Sequence, residues 1–128
     1  MKEIMAVIRM NMINQTKEAL LAEGFSSLYC KRVTGRGRKK VDYAIVEKLV
    51  TDGVETISPI MAEVISESHR LVPKRLVSMI VKSEDAKKVL DIIIRTNSMG
   101  KPGDGKIFVM PILDSIRVRT GESGEVAL

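Results

Sequence analysis

The chain is poorest in the residues that make disulfides, metal sites and stacking platforms: one cysteine, one histidine, no tryptophan and four aromatics, Phe25, Tyr29, Tyr43 and Phe108. Cys30 has no second cysteine with which to close an internal disulfide, and it and His69 together cannot assemble a Cys/His zinc centre. Cys30 reads as a small apolar strand residue and His69 as a solvated loop or helix residue. Long hydrophobic runs are missing too. The runs at 4–8 and 92–94 fall far short of the roughly 18 residues of a membrane helix, so no membrane insertion is expected. Only five apolar residues separate Lys2-Glu3 from Arg9, which is no signal peptide, and a cytoplasmic chain is expected. Neither a Ser/His/Asp arrangement, nor a Cys–His pair, nor an acidic pair beside a candidate base occurs, so the chain reads as a non-enzyme.

What is present is enough for one domain over 1–128: 45% apolar residues, with 21 Lys+Arg against 16 Asp+Glu, a net +5. The basic balance suits anionic partners without choosing between nucleic acid and phosphate-bearing small molecules. Residues 2–9 read as a buried strand. A helix follows over about 15–23, capped by Asn14 and stopped by Gly24, and then a strand over 25–34. A second unit has a strand at 76–81, a cap in Ser83-Glu84-Asp85, and a helix carrying Ala86, Val89, Leu90 and Ile93, with Gly100 beyond its end. Two last strands, 106–110 and 112–118, meet at Pro111, which cannot donate to a ladder.

This order predicts an α+β, ferredoxin-like β-α-β-β-α-β sandwich with both helices on one face of an antiparallel sheet. Strands 4–8 and 76–81 are nevertheless apolar on both faces, and the helices can cover only one. The second face predicts a closed homo-oligomer. Residues 41–73 are far too long for an ordinary connection. They carry Ile45, Val46, Leu49, Val50 and Ile57, and Ser58-Pro59 can open a helix striped by Ile60, Met61, Val64 and Ile65. Such a segment is either a partner-docking arm or an insert packed on its own domain.

The chemistry that recurs is glycine beside cations: Gly35-Arg36-Gly37-Arg38-Lys39-Lys40, Gly100-Lys101-Pro102-Gly103-Asp104-Gly105-Lys106, and Arg117-Val118-Arg119. Glycines expose backbone N–H groups that can wrap oxyanions, and adjacent cations neutralise a phosphate tail. Read as a strand, 112–118 runs into Arg117 and Arg119 two residues apart, a paired cation suited to a polyphosphate. RNA recognition on the same sandwich needs sheet aromatics, and the last strands offer only Phe108, so no nucleic-acid partner is expected.

These segments, with Pro73-Lys74, Ile94-Arg95-Thr96, Lys106-Ile107-Phe108-Val109 and Ile116-Arg117-Val118-Arg119-Thr120-Gly121-Glu122, resemble the PII nitrogen-regulatory signalling family over essentially the whole chain. The resemblance implies a homotrimer whose inter-subunit clefts bind ATP or ADP and, with Mg-ATP, 2-oxoglutarate. An extended T-loop, about 36–73 here, would dock on target enzymes or transporters. By position, Arg38, Lys106, Arg117 and Arg119 would hold the phosphates, with the Gly103, Asp104 and Gly105 backbone lining the site. Gly35 and Gly37 would shape the loop base, and Lys74 matches the lysine that salt-bridges 2-oxoglutarate.

Two departures from the family pattern stand out. Lys39 replaces a glutamine that helps ligate the magnesium–oxoglutarate pair, and a lysine has no acceptor with which to coordinate a cation, so weak 2-oxoglutarate binding by this chain alone is expected. The T-loop is also longer than in regulators of glutamine synthetase and ammonium channels and lacks their modification-site tyrosine motif; Tyr43 sits too near the loop base. It resembles the nitrogenase-linked branch, in which two related chains act together on dinitrogenase. The reading is therefore a sensor that inhibits nitrogenase under nitrogen sufficiency. Regulation of an ammonium channel or glutamine synthetase is the alternative.

Overall fold

A computed structural model describes residues 1–37 and 71–128. The expectations for His69, for the Ser58-Pro59 helix and for most of the T-loop lie outside these residues, as do Arg38 and Lys39. The order is β1 (Lys2–Arg9), a 3-10 turn (Met10–Met12), α1 (Ile13–Ala22), β2 (Tyr29–Gly35), β3 (Val72–Val81), α2 (Ala86–Asn97), β4 (Gly105–Pro111) and a second 3-10 turn (Gly124–Ala127). The sheet order is β2-β3-β1-β4 with every neighbouring pair antiparallel. Two β-α-β units are thus interlocked, each placing one strand between the two strands of the other, and this is the expected ferredoxin-like α+β sandwich.

Strand alternation divides the sheet into two faces. Ile4, Ala6 and Ile8 of β1 and Val77, Met79 and Val81 of β3 are buried under the helices, where Leu20 of α1 and Ala86, Val89, Ile92 and Ile93 of α2 complete the core. The register Ile4↔Met79 and Ala6↔Val77 sets these side chains side by side, and Ile107 of β4 packs against the same cluster. Met5, Val7, Leu76 and Ile80, with Phe108 and Met110 of β4, alternate onto the opposite face, which neither helix covers. The helices are joined at their edge by Lys88, whose Nζ lies 2.9 Å from the Glu23 carboxylate and 5.6 Å from the centre of the Phe25 ring.

Local signals differ from expectation at several ends. α1 begins at Ile13 as a continuation of the 3-10 turn, with Met12 at the cap position and no side-chain capping bond, so Asn14 is inside the helix rather than before it. Gly24 does stop it, at φ 90°, with the Phe25 amide returning to the Leu20 carbonyl at 2.9 Å. α2 likewise has no side-chain cap; the Ser83 hydroxyl instead accepts from the Met1 nitrogen at 3.2 Å. β2 starts at Tyr29 because Phe25 and Leu28 turn in against the core, and Cys30 lies exposed on this edge strand.

The strand expected at 112–118 does not form. Among the described residues that stretch has no partner strand, and only an isolated bridge between Ile116 and Ser123 is made. Asp114 draws it into a turn by accepting from the Ser115 and Gly124 amides at 2.8 and 2.9 Å, and Gly121 and Gly124 at φ 73° and 81° fold it back. Leu113 and Val118 are left 99% and 100% exposed. Arg117 therefore opens a turn closed by the Thr120 and Gly121 amides on its carbonyl, Arg119 lies within that turn, and the paired-cation strand geometry is absent.

Candidate functional site

The C-terminal ends of β1 and β2 and the N-terminal ends of β3 and β4 all meet at one end of the sheet, because β1 and β2 run parallel with β3 opposed between them. On the face without helices, Arg9 lies opposite Lys74 and Val7 opposite Lys106. Gly35 closes β2 beside Val72 at the same end. Three cations are thus brought together around the loop that leads into β4.

Asp104 organises that loop. One carboxylate oxygen accepts from the Met99 amide at 2.8 Å and the Lys101 amide at 3.3 Å; the other lies 2.7 Å from Arg9 Nη1, an ion pair without a hydrogen bond's alignment. The Met99 amide bond is the main reason the Asp104 carboxyl is held below the usual aspartate value; partial desolvation opposes it, and the Lys101 amide and Arg9 add to it. Lys74 Nζ donates to the Gly103 carbonyl at 2.7 Å, and Arg9 Nη2 reaches the Pro102 carbonyl at 3.5 Å. The carbonyls are thereby drawn towards the cations. Gly105 has no alternative residue: at φ 132° an added Cβ would run into the Val7 carbonyl oxygen. Gly103 at φ 99° faces Lys74 Nζ and Arg9 Nη2, within 4 Å of where a Cβ would stand.

Of the residues singled out in the sequence, Lys74, Gly103, Asp104, Gly105 and Lys106 converge here. Gly35 and Gly37 border the same end, but neither has a positive φ, and among the described residues nothing stands within 4 Å of where a Cβ would be. Arg38 and Lys39 lie outside the described residues. Arg117 and Arg119 are elsewhere: Pro111 pairs with Lys2, at the far end of β1 from the Ile8↔Gly105 pair, and the Ile112 amide is bonded to the Met1 carbonyl at 3.2 Å. Six residues of strand separate those ends, roughly 20 Å. Arg9 belongs to the cluster although no sequence motif marked it; a cation that closes a strand opposite a lysine is visible only once the register is known.

A cleft of about 310 Å³ lined by Ile8, Ile93, Asn97, Asp104 and Ile107 opens on the helix-covered side of this loop. Its walls are mostly aliphatic, and of the three cations Lys106 alone lines it. Also on that side, Arg32 and Arg75 stand directly opposite one another across β2 and β3, and Arg75 Nε has no hydrogen-bond partner among the described residues. Those residues contain no group of three or more His, Cys, Asp or Glu side chains able to hold a metal.

The family model for nitrogen regulatory protein P-II matches residues 1–122. A nitrogen fixation nifHD region GlnB-like protein 2 of Methanobacterium ivanovii is 50% identical over 128 residues, covering all of this chain and 99% of the relative. The protein of the same name from Methanococcus maripaludis is 43% identical over the full length of both. Nitrogen regulatory protein P-II 2 of Methanothermobacter thermautotrophicus is 33% identical, covering all of this chain and 97% of the relative. The family whose model matches is one of nitrogen-regulatory signalling proteins. The chain belongs to the nitrogen regulatory protein P-II family. Its relatives named for nitrogen-fixation gene regions tie it to nitrogen regulation.

Proposed function

We propose that the protein is a cytoplasmic, non-catalytic sensor of nitrogen status that binds ATP or ADP in clefts between the subunits of a homotrimer and inhibits nitrogenase through its T-loop. The observation that carries the nucleotide reading is the division of cations within one chain. Arg9, Lys74 and Lys106 border the loop of Gly103, Asp104 and Gly105 at one end of β1, whereas Arg117 and Arg119 are anchored near its other end. A site using both sets is assembled from two subunits, with the second supplying the two arginines. Each charge-assisted hydrogen bond to a triphosphate contributes about 1.5–3 kcal/mol, so several together account for selective binding of a nucleotide.

The nitrogenase target is supported by the nifHD-region names of relatives that match the whole chain at 38–50% identity. Lys39 in place of an amide weakens any magnesium-bridged 2-oxoglutarate site, because an ammonium beside Mg²⁺ is repulsive and offers no lone pair. A second PII-like chain acting with this one then supplies the oxoglutarate response.

Calorimetry on the homo-oligomer tests both parts. ATP binding is expected to be lost or weakened at least about a hundredfold in the Arg117→Ala/Arg119→Ala protein, the loss of two such contacts. Unchanged affinity with the oligomer intact would place the site elsewhere. Dinitrogenase retained on immobilised protein in an effector-dependent way supports the target, whereas retention of an ammonium channel or glutamine synthetase instead overturns it.

A further inference from the structure

Arg117, one of the two arginines assigned to the nucleotide, has its guanidinium occupied from its own chain. Nη1 donates to Glu122 Oε2 at 2.5 Å, and Nη2 to the carbonyl oxygen of Val126 at 2.8 Å and more distantly to the main-chain oxygen of Leu128 at 3.4 Å. One carboxylate and two main-chain oxygens stand where the oxygens of a phosphate would be offered. We propose that Glu122 and the turn Gly124–Ala127 form a clasp that competes with the nucleotide phosphates for Arg117 and so sets the affinity of the site. This rests on the nucleotide reading given above.

The clasp is built rather than incidental. The Arg117 amide is bonded to the Glu122 carbonyl at 2.8 Å, and the Thr120 and Gly121 amides return to the Arg117 carbonyl at 3.2 and 2.8 Å. The Thr120 hydroxyl donates to the same Glu122 oxygen at 2.8 Å, which aims the carboxylate at the guanidinium. The far half is held separately, by the Gly124 amide on the Ser115 carbonyl and on Asp114 Oδ1, both at 2.9 Å, with Gly124 at φ 81° making the bend. Arg119, two residues on and exposed, has no hydrogen-bond or ion-pair partner among the described residues.

The two arginines are therefore not equivalent. Arg119 is open to an incoming oxyanion, while Arg117 must exchange Glu122 and two main-chain oxygens for phosphate oxygens. A guanidinium cannot serve both fully, and a carboxylate left beside a triphosphate repels it. The ion pair is only partly shielded, with side chains 34% and 44% exposed, so the competition is a modest adjustment of affinity rather than a block.

The test measures ATP affinity by calorimetry for the full-length protein and for Glu122→Gln and Gly124→Val. The first removes the carboxylate charge at constant size. The second strains the bend that presents the main-chain oxygens and leaves Arg117 and Glu122 in place. About three- to tenfold tighter ATP binding is expected in each, given the size of partly exposed charged contacts. In an Arg117→Ala background neither substitution should change affinity, because the group competed for is gone. A gain in either variant that disappears in that background supports the clasp. Absence of any gain, or a gain that persists without Arg117, overturns it while the nucleotide reading stands. Failure of every form to bind ATP overturns the nucleotide reading as well.

Discussion

Asp104 shows how one carboxylate positions several groups that it does not resemble chemically. Its bonds to the Met99 and Lys101 amides shape the turn before β4, and its ion pair fixes Arg9 at the end of β1. Because the folded carboxyl is held below its ordinary value, chiefly by the Met99 amide, its charge contributes stability that is complete above about pH 5. That contribution is lost as pH falls through the lowered value. Asp104→Asn should therefore lower the urea midpoint at pH 7, and the gap to the unmodified protein should shrink towards pH 3. A gap of the same size at both pH values would mean that the shape of the side chain, and not its charge, is what the loop uses. The residues 103–106 were readable in the sequence as a glycine turn beside cations, but the role of Asp104 was not. An aspartate between two glycines has the same signature whether it meets a ligand or braces a loop, and only the position of Arg9 decides.

The two helices are linked through a buried polar contact on the core side. Thr16 donates to the Met12 carbonyl at 2.7 Å and accepts from Asn97 Nδ2 at 3.0 Å; Asn97 also donates to the Ile93 carbonyl at 2.9 Å, while its Oδ1 is buried without a hydrogen-bond partner among the described residues. Removing one member strands the other, whereas removing both need not. Thr16→Val alone should cost about 1–3 kcal/mol in equilibrium unfolding, and adding Asn97→Leu should recover most of that loss. A double variant less stable than the single one would show that the pair contributes net stability. Elements with a strong apolar period, β1, β3 and α2, were readable in the sequence because burial dictates both their residues and their phase. The ends were not. Met12 and Asp85 occupy cap positions without capping through their side chains, since the preceding turns already fix the chain's entry. At 112–118 the apolar content read as a strand, yet a strand needs a neighbour, and the described residues supply none there.

Two surfaces of the subunit are incomplete for the same reason. Among the described residues nothing covers the face bearing Met5, Val7, Leu76, Ile80 and Phe108, with Phe108 itself 48% exposed, and the segment after Pro111 leaves Leu113, Ile116 and Val118 exposed. On the proposed reading, burial against further copies would cover both at once and would carry Arg117 and Arg119 to a neighbour's Lys106. Nucleotide binding would then depend on assembly. Leu76 lies across β1 from Val7 and across β2 from Lys31. Leu76→Asp places a carboxylate in the middle of the apolar face, where Lys31 can pair with it in an isolated subunit but association would strip its water. Sedimentation should show monomers at micromolar concentration with the far-ultraviolet circular dichroism unchanged. ATP affinity should fall at least about a hundredfold, because the cation cluster at the loop then lacks the two arginines that a second copy brings. A monomer that kept full affinity for ATP would mean that a single chain closes its own site, with Arg117 and Arg119 dispensable.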